Sequence, residues 1–162
     1  MESQRLVIYL IALVVILMCM LVFLFVQVSR MGPEGEEERT GKRTEADLAL
    51  GGAIFLIGKD LSGRMIPISG GPAWLLKEGG GCVVCHGDNG EGGKPIPDLK
   101  IVPPSIKATL TKGIGGMSEK DFAKLIKWGE RPNGKSLSYE MPRFDLSADE
   151  VGDLFAFIKR LK

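Results

Sequence analysis

Five consecutive residues, Cys82-Val83-Val84-Cys85-His86, constrain this 162-residue chain more than any other feature. Two residues between the cysteines allow one turn of backbone to present both thiols to the two vinyl groups of a single haem, and the next residue places an imidazole nitrogen under the iron. The spacing therefore predicts covalent haem c attachment through Cys82 and Cys85, with His86 as an iron ligand. Such a chain is expected to be a redox protein.

The same motif has three other interpretations. A thioredoxin-type redox pair has the same cysteine spacing, but here a histidine follows directly and glycines surround the motif. Half of a zinc site would need two more soft ligands, whereas the third cysteine, Cys19, lies in an apolar run and His86 is the single histidine. A chance match of the motif is the third alternative.

A long apolar segment near the N-terminus predicts a membrane-spanning helix. Residues 6–28 carry no charge and are rich in Leu, Ile and Val. At about 1.5 Å per residue, a helix of this length crosses a hydrocarbon core of roughly 30 Å. A cleaved signal peptide is the alternative, but the run is longer than the usual apolar region of such peptides and lacks a small-x-small cleavage site. We therefore expect an N-terminal transmembrane signal anchor over residues 1–29.

The segment that follows predicts a flexible linker over residues 30–43. It consists mainly of glycine, proline and charged residues and has no apolar periodicity. Residues 44–162 then form one small domain, to whose limited core a haem would add apolar surface. The whole chain has 21 Lys and Arg against 20 Asp and Glu, which gives a net charge of +1. Nucleic acid is therefore not an expected partner.

The first helix of this domain is predicted from a capping signal and an apolar face. Thr44 is a suitable N-cap for a helix that runs to about Ile57. Leu48, Phe55 and Leu56 are expected on its apolar side. No segment alternates well enough between apolar and polar residues to predict a strand.

Two more helices are predicted near the C-terminus. Ser118 opens one of them, and Gly129 ends it. Ser147 and Glu150 form a capping box that starts the last helix, in which Val151, Leu154, Phe155, Ile158 and Leu161 make one apolar stripe. A short helical turn is expected to carry Cys82 to His86.

Together these features resemble the class I monohaem cytochromes c, and specifically their membrane-anchored members, over roughly residues 44–162. In that family a glycine and an aromatic residue on the first helix cross the last helix at its aromatic residues. Gly51 and Phe55 match the first pair, and Phe155 and Phe157 match the second. The resemblance implies an all-α class I cytochrome c fold around one covalent haem c, after a single N-terminal transmembrane helix.

The resemblance also implies further haem-binding residues. The run that begins at Cys85 and includes Pro97 and Leu99 is similar to the family's haem-binding loop, where a proline carbonyl accepts a hydrogen bond from the ligand histidine. Pro97 would take that role. Met141-Pro142 and the residues after it are similar to the methionine-ligand loop that leads into the final helix.

The residues of the chain also limit what the second iron ligand can be. Because the chain has no second histidine, the ligand opposite His86 is a methionine, a less common donor, or absent. Three methionines follow the linker. Met65 lies between the first helix and the haem motif, Met117 directly precedes the capping Ser118, and Met141 lies in a loop stiffened by Pro142. Met141 is the predicted ligand.

One segment departs from the family pattern. Members pass from the first helix to the haem motif within a few residues, whereas about residues 58–80 intervene here. An ordered surface loop is the simpler interpretation of this insertion. A cap over a haem edge, or a docking patch that carries Trp74, is the alternative.

The expected function is single-electron transfer in a respiratory chain, by outer-sphere transfer through a His/Met-ligated haem c. The chain is then an electron carrier or an electron-transfer subunit of an oxidoreductase complex rather than a catalyst, with redox proteins or respiratory complex subunits as partners and no small-molecule substrate. A haem-based ligand sensor, or a catalytic haem subunit with an open sixth coordination position, is the alternative. A structural or assembly subunit whose haem is incidental is a third possibility.

The expected location is the cell (inner) membrane, crossed once, with the haem domain on the periplasmic or outer side. Basic residues are more frequent after the apolar segment than before it, so the positive-inside rule on its own would place the carboxyl side in the cytoplasm. The resemblance implies the opposite orientation, because in these cytochromes haem c is attached on the outer side of the membrane.

Overall fold

The computed structural model describes residues 2–30, 42–107 and 114–161, and it divides the chain into two compact units, Met1–Glu37 and Glu38–Lys162. Most of the predicted linker, residues 31–41, lies outside the described residues. The first unit contains helix α1, Glu2–Arg30.

Helix α1 contains a long apolar window. Its window Val7–Leu24 has a mean hydropathy of 3.3 and no buried residue. Among the described residues it is the single helix whose length and composition suit a membrane span, a test that a signal sequence also passes.

The second unit is built mainly from short helices. In chain order its elements are α2 Glu45–Ile57, β1 Ile68–Ser69, α3 Ala73–Glu78, α4 Val83–His86, α5 Glu119–Trp128, β2 Arg143–Phe144 and α6 Ala148–Ile158. Helix α2 packs against α6 and α4, and α5 packs against α6 and β2. The three longer helices thereby enclose one apolar core.

The predicted helix ends are confirmed by their capping bonds. The Thr44 side chain accepts a hydrogen bond from the backbone N–H of Asp47, and Ser118 and Ser147 do the same at the starts of α5 and α6. Gly129 adopts the left-handed conformation that ends α5. These bonds satisfy backbone groups that a helix terminus leaves unpaired, so local sequence determined where the helices begin.

Helices α2 and α6 cross at a glycine, as the family resemblance implied. A Cβ atom on Gly51 would lie 2.1 Å from the backbone oxygen of Asp153, so the two backbones meet with no room for a side chain. The rings of Phe55 and Phe157 lie 5.4 Å apart across this crossing. Phe155 instead meets Phe122 of α5, at 5.0 Å between ring centroids.

The buried face of α2 differs from the predicted one at two residues, Leu56 and Ile54. Leu48 and Phe55 are buried as expected, but Leu56 is 47% exposed and Ile54 is completely buried. Because each helical residue turns by about 100°, Leu56 lies beyond the edge of the face that contains Leu48 and Gly51. The prediction for Leu56 was therefore wrong.

The structure also contains a small sheet that the sequence did not predict. Strands β1 and β2 are antiparallel, with Ile68 opposite Phe144 and Ser69 opposite Arg143. Each strand has two residues, which is too short for any alternation to be visible in the sequence. The pairing arises because the insertion folds back onto the segment before α6.

The rest of the insertion is ordered and partly buried. Ile66 and Leu75 are 4% and 2% exposed, so the segment contributes apolar side chains to the interior. Trp74, which the alternative docking patch would carry, is half-buried. The other tryptophan, Trp128 on α5, is 65% exposed. The insertion is thus part of the folded domain.

The predicted linker extends too far at its C-terminal end. Arg43 is 11% exposed in its side chain and forms ion pairs with Glu119 at 2.9 Å and with Asp153 at 3.2 Å. A residue bound to both α5 and α6 belongs to the domain. Its assignment to a flexible linker was wrong, because partners 76 and more positions away are invisible to a local reading of charge and glycine content.

Candidate haem site

The haem motif forms the short helix α4. The backbone N–H groups of Cys85 and His86 both donate to the carbonyl of Cys82, at 3.2 and 2.9 Å. Just before it, a Cβ atom on Gly81 would lie 2.1 Å from the carbonyl oxygen of Phe55. The missing side chain therefore allows the turn to lie directly on helix α2. The helix at the motif confirms the prediction of a short helical turn that carries Cys82 to His86.

The two cysteines differ in burial. Cys82 is 7% exposed and belongs to the apolar core, and Cys85 is half-buried. Burial raises the pKa of the Cys82 thiol to about 12 and also raises the pKa of Cys85. Neither thiol has the lowered pKa of a reactive thioredoxin-type cysteine.

The orientation of His86 is determined by one hydrogen bond. Its ring is 5% exposed, and Nδ1 lies 2.8 Å from the carbonyl oxygen of Pro104. A carbonyl only accepts, so Nδ1 carries the proton and Nε2 presents its lone pair. Burial lowers the pKa of the imidazole, with a smaller opposing effect from the Pro104 bond, so the neutral ring is favoured. A neutral imidazole with a free Nε2 is the donor that a haem iron requires.

The acceptor for His86 differs from the predicted one. Pro97 is exposed, and the bond goes to Pro104, seven residues further along the chain. The assignment to Pro97 was therefore wrong. Leu99, placed in the same loop by resemblance, is half-buried and closes a turn by donating its N–H to the carbonyl of Ile96 at 3.2 Å.

Backbone bonds explain why Pro104 rather than Pro97 reaches the histidine. The N–H of Gly93 donates to the carbonyl of Pro103 at 2.8 Å, and the N–H of Ile106 donates to Gly90 at 2.9 Å. These bonds close the loop across its base, and most of residues 94–102 between them are exposed. The Pro103-Pro104 dipeptide was the available signal, but nothing in the sequence alone ranks it above Pro97.

The three methionines of the second unit lie in different surroundings. Met141 and Met117 are partly buried and pack against the apolar cluster that contains Cys82. Met65 is 41% exposed, and its Cε lies where a Cβ of Gly79 would be. Met65 is thus a surface residue of the insertion. Met141 keeps its place as the candidate ligand on sequence grounds, and Met117 remains the competitor.

A further residue acts on the Met141 loop and was not singled out from the sequence. Arg143 donates hydrogen bonds to the backbone carbonyls of Met141 and Leu137, the latter at 3.3 Å. An arginine presents several donors in a planar fork, so one side chain can hold two carbonyls of the same loop. The sequence shows an arginine at this position, but the hydrogen-bond partners of Arg143 depend on how the loop folds.

Other metal chemistry has no ligand set in the described part of the chain. No group of three or more His, Cys, Asp or Glu residues there is arranged to hold a metal ion. The donors that exist, two thiols and one oriented imidazole on a single turn, fit covalent haem c. Cys82 and Cys85 would form the thioether bonds and His86 would bind the iron.

Comparison with protein families supports the same conclusion. The family model for cytochrome c matches residues 79–162, which include the haem motif, the Met141 loop and helix α6. Searches of the curated proteins and of the solved structures find no match. The family binds haem c covalently, and Cys82 and Cys85 lie within the matched residues. This chain therefore belongs to the cytochrome c family and to its class I type.

Proposed function

We propose that this protein transfers single electrons in a respiratory chain, as a membrane-anchored cytochrome with His86 and Met141 as iron ligands. The observation that carries the proposal is the bond between His86 Nδ1 and the Pro104 carbonyl. It leaves Nε2 available and holds the ring in one orientation. A ligand that is held in one orientation keeps the reorganisation energy of electron transfer small when the iron changes its oxidation state.

The second ligand follows from the donors that the chain offers. With one histidine in the chain, a thioether is the natural partner for the opposite position, and Met141 lies in the loop before α6. When bound, haem c supplies a one-electron Fe(III)/Fe(II) couple. His86 and Met141 would both hold the iron, which would exclude substrate from it and favour outer-sphere transfer. A thioether also favours Fe(II), so a relatively positive potential is expected.

Helix α1 supports the proposed membrane anchor. Its apolar window of 18 residues is long enough to cross a slightly thinned bilayer core. The turns of helix on either side of the window add further length. We place the haem domain on the periplasmic or outer side of the cell (inner) membrane, because cytochrome c domains are usually extracytoplasmic. Redox proteins or subunits of a respiratory complex are the proposed partners.

Substitution of Met141 tests the proposed ligation. Oxidised wild-type protein should show the weak near-infrared band of sulfur-to-iron charge transfer. Met141→His should abolish this band and lower the midpoint potential, because imidazole stabilises Fe(III) better than a thioether does. The measurements are near-infrared absorption and a redox titration of the haem-loaded protein.

Two matched variants complete the test. Met117→Leu removes the competing thioether at a site that packs against the same cluster, and Met65→Leu removes an exposed one. Both should leave the band intact. Loss of the band in Met117→Leu together with its survival in Met141→His would reassign the ligand. A wild-type protein without the band that binds carbon monoxide rapidly when reduced would favour the ligand sensor or the catalytic haem subunit.

A further inference from the structure

The insertion contacts the Met141 loop on both sides of the methionine. Before it, the N–H of Gly71 donates to the carbonyl of Tyr139 at 2.8 Å. After it, β1 pairs with β2, and the N–H of Asp145 donates to the carbonyl of Pro67 at 2.9 Å. Met141 therefore lies between two points at which the loop is bonded to the insertion.

The contact extends to side chains next to the methionine. Pro142 is buried, and a Cβ atom on Gly71 would lie 3.2 Å from Pro142 Cβ. Ile68, opposite Phe144 in the sheet, packs against the apolar core. The insertion thus reaches the core and the Met141 loop with the same few residues, 67–71.

The insertion is itself well anchored, so it can transmit rigidity to the loop. The N–H of Ile66 donates to the carbonyl of Gly58 at 2.9 Å, which ties the insertion to the end of α2. Arg64 forms an ion pair with Glu150 of α6 at 2.9 Å. A segment bonded to two helices offers the Met141 loop a fixed edge rather than a second mobile loop.

We propose that residues 67–71 are a positioning element that holds the Met141 loop closed, so that its thioether stays on the iron. This inference rests on the proposed His86 and Met141 ligation. A methionine ligand on an unsupported loop dissociates when the loop opens, which leaves the iron accessible to other ligands. Residues 67–71 oppose that opening because the loop must break its bonds to the insertion to move.

Binding of imidazole to the oxidised, haem-loaded full-length protein tests the inference. Gly71 has φ +83° and faces Pro142, so Gly71→Ala strains the junction between insertion and loop. Alanine in the left-handed conformation destabilises the closed state of the Met141 loop relative to its open state. The apparent imidazole affinity should therefore rise roughly fivefold, in proportion to the larger open population. The near-infrared band should weaken in the same variant.

Gly63→Ala is the matched control. Gly63 has a similar φ of +86°, but a Cβ there would meet no atom within 4 Å. The two substitutions thus impose the same kind of backbone strain, at the tip of the insertion in one case and at its contact with the loop in the other. Gly63→Ala should leave the imidazole affinity within about twofold of wild type. Equal effects of the two substitutions, or none from either, would overturn the inference.

Hydrogen exchange in the wild-type protein supplies a measurement that needs no variant. Saturation with imidazole should accelerate exchange of the Gly71 and Asp145 amides at least tenfold relative to that of Ile66, whose bond to Gly58 does not involve the Met141 loop. Unchanged protection of Gly71 and Asp145 would contradict the inference. A wild-type protein without the near-infrared band would instead remove the proposed ligation, and with it this role for residues 67–71.

Discussion

At the scale of single residues, Arg43 shows how a side chain near the N-terminal edge of the domain joins its last two long helices. Its guanidinium lies over Gly152, where a Cβ atom would overlap Nη2, and it binds Glu119 and Asp153. Asp153 is 4% exposed in its side chain. Removal of one partner of a buried ion pair leaves the other charge without compensation in a medium of low dielectric constant.

We therefore expect Arg43→Met to destabilise the second unit by about 3 kcal/mol. The free energy of unfolding, measured by denaturant titration of the haem-loaded protein, tests this. Arg160→Met is the control, because Arg160 pairs with Glu45 at 3.7 Å while 58% exposed, and exposed pairs contribute about 0–1 kcal/mol. Equal losses in the two variants would contradict the buried-pair explanation.

The haem ligands mark how far residue-level prediction reaches. Cys82, Cys85 and His86 lie within five consecutive positions, and one helical turn is the structure that their spacing favours. The partner of His86 lies 18 positions away, and two proline-containing stretches compete for the role. The choice of Pro104 over Pro97 depends on the bonds that close the loop at Gly93 and Ile106.

At the scale of elements, the crossing of α2 and α6 depends on two neighbouring glycines with different surroundings. A Cβ on Gly51 would overlap the backbone of Asp153, which cannot move without shifting α6. A Cβ on Gly52 would meet the ring of Phe157 at 3.0 Å, and a ring can rotate away. The same substitution should therefore have different effects at adjacent positions.

We expect Gly51→Ala to destabilise the fold by about 3 kcal/mol or more, because overpacking outweighs the gain in helix propensity. Gly52→Ala should remain within about 1 kcal/mol of wild type, since the propensity gain offsets the displacement of Phe157. Thermal unfolding of both variants measures the difference. A smaller loss at Gly51 than at Gly52 would show that the helices can separate at the crossing.

The elements themselves were predictable where their signals are local. Thr44, Ser118 and Ser147 start helices because each satisfies a backbone N–H within three residues. Strands β1 and β2 could not be predicted from the sequence, because 74 or more positions separate their paired residues and neither strand has more than two residues. Their pairing depends on the fold of the insertion, and short strands leave no periodic signal of their own.

At the scale of the whole molecule, the division into Met1–Glu37 and Glu38–Lys162 predicts that the second unit folds without helix α1. A chain that starts at Glu38, behind a cleavable secretion signal, should give a soluble haem protein whose absorption spectrum matches that of the full-length protein. A chain that starts at Thr44 should be less stable by about 3 kcal/mol, because it lacks the buried Arg43. If the longer fragment does not fold despite complete haem loading, α1 contributes to the core.

The sequence by itself determined the features that depend on near neighbours: the covalent haem motif, the apolar segment, the capped helices and the resemblance to class I cytochromes c. Each of these arises from residues within a few turns of backbone, where spacing alone sets the geometry. The tertiary structure alone decided the acceptor of His86, the burial of Arg43 and the pairing of the insertion with the Met141 loop. Those contacts join residues 18 to more than 100 positions apart, and their energies depend on which surfaces the folded chain brings together.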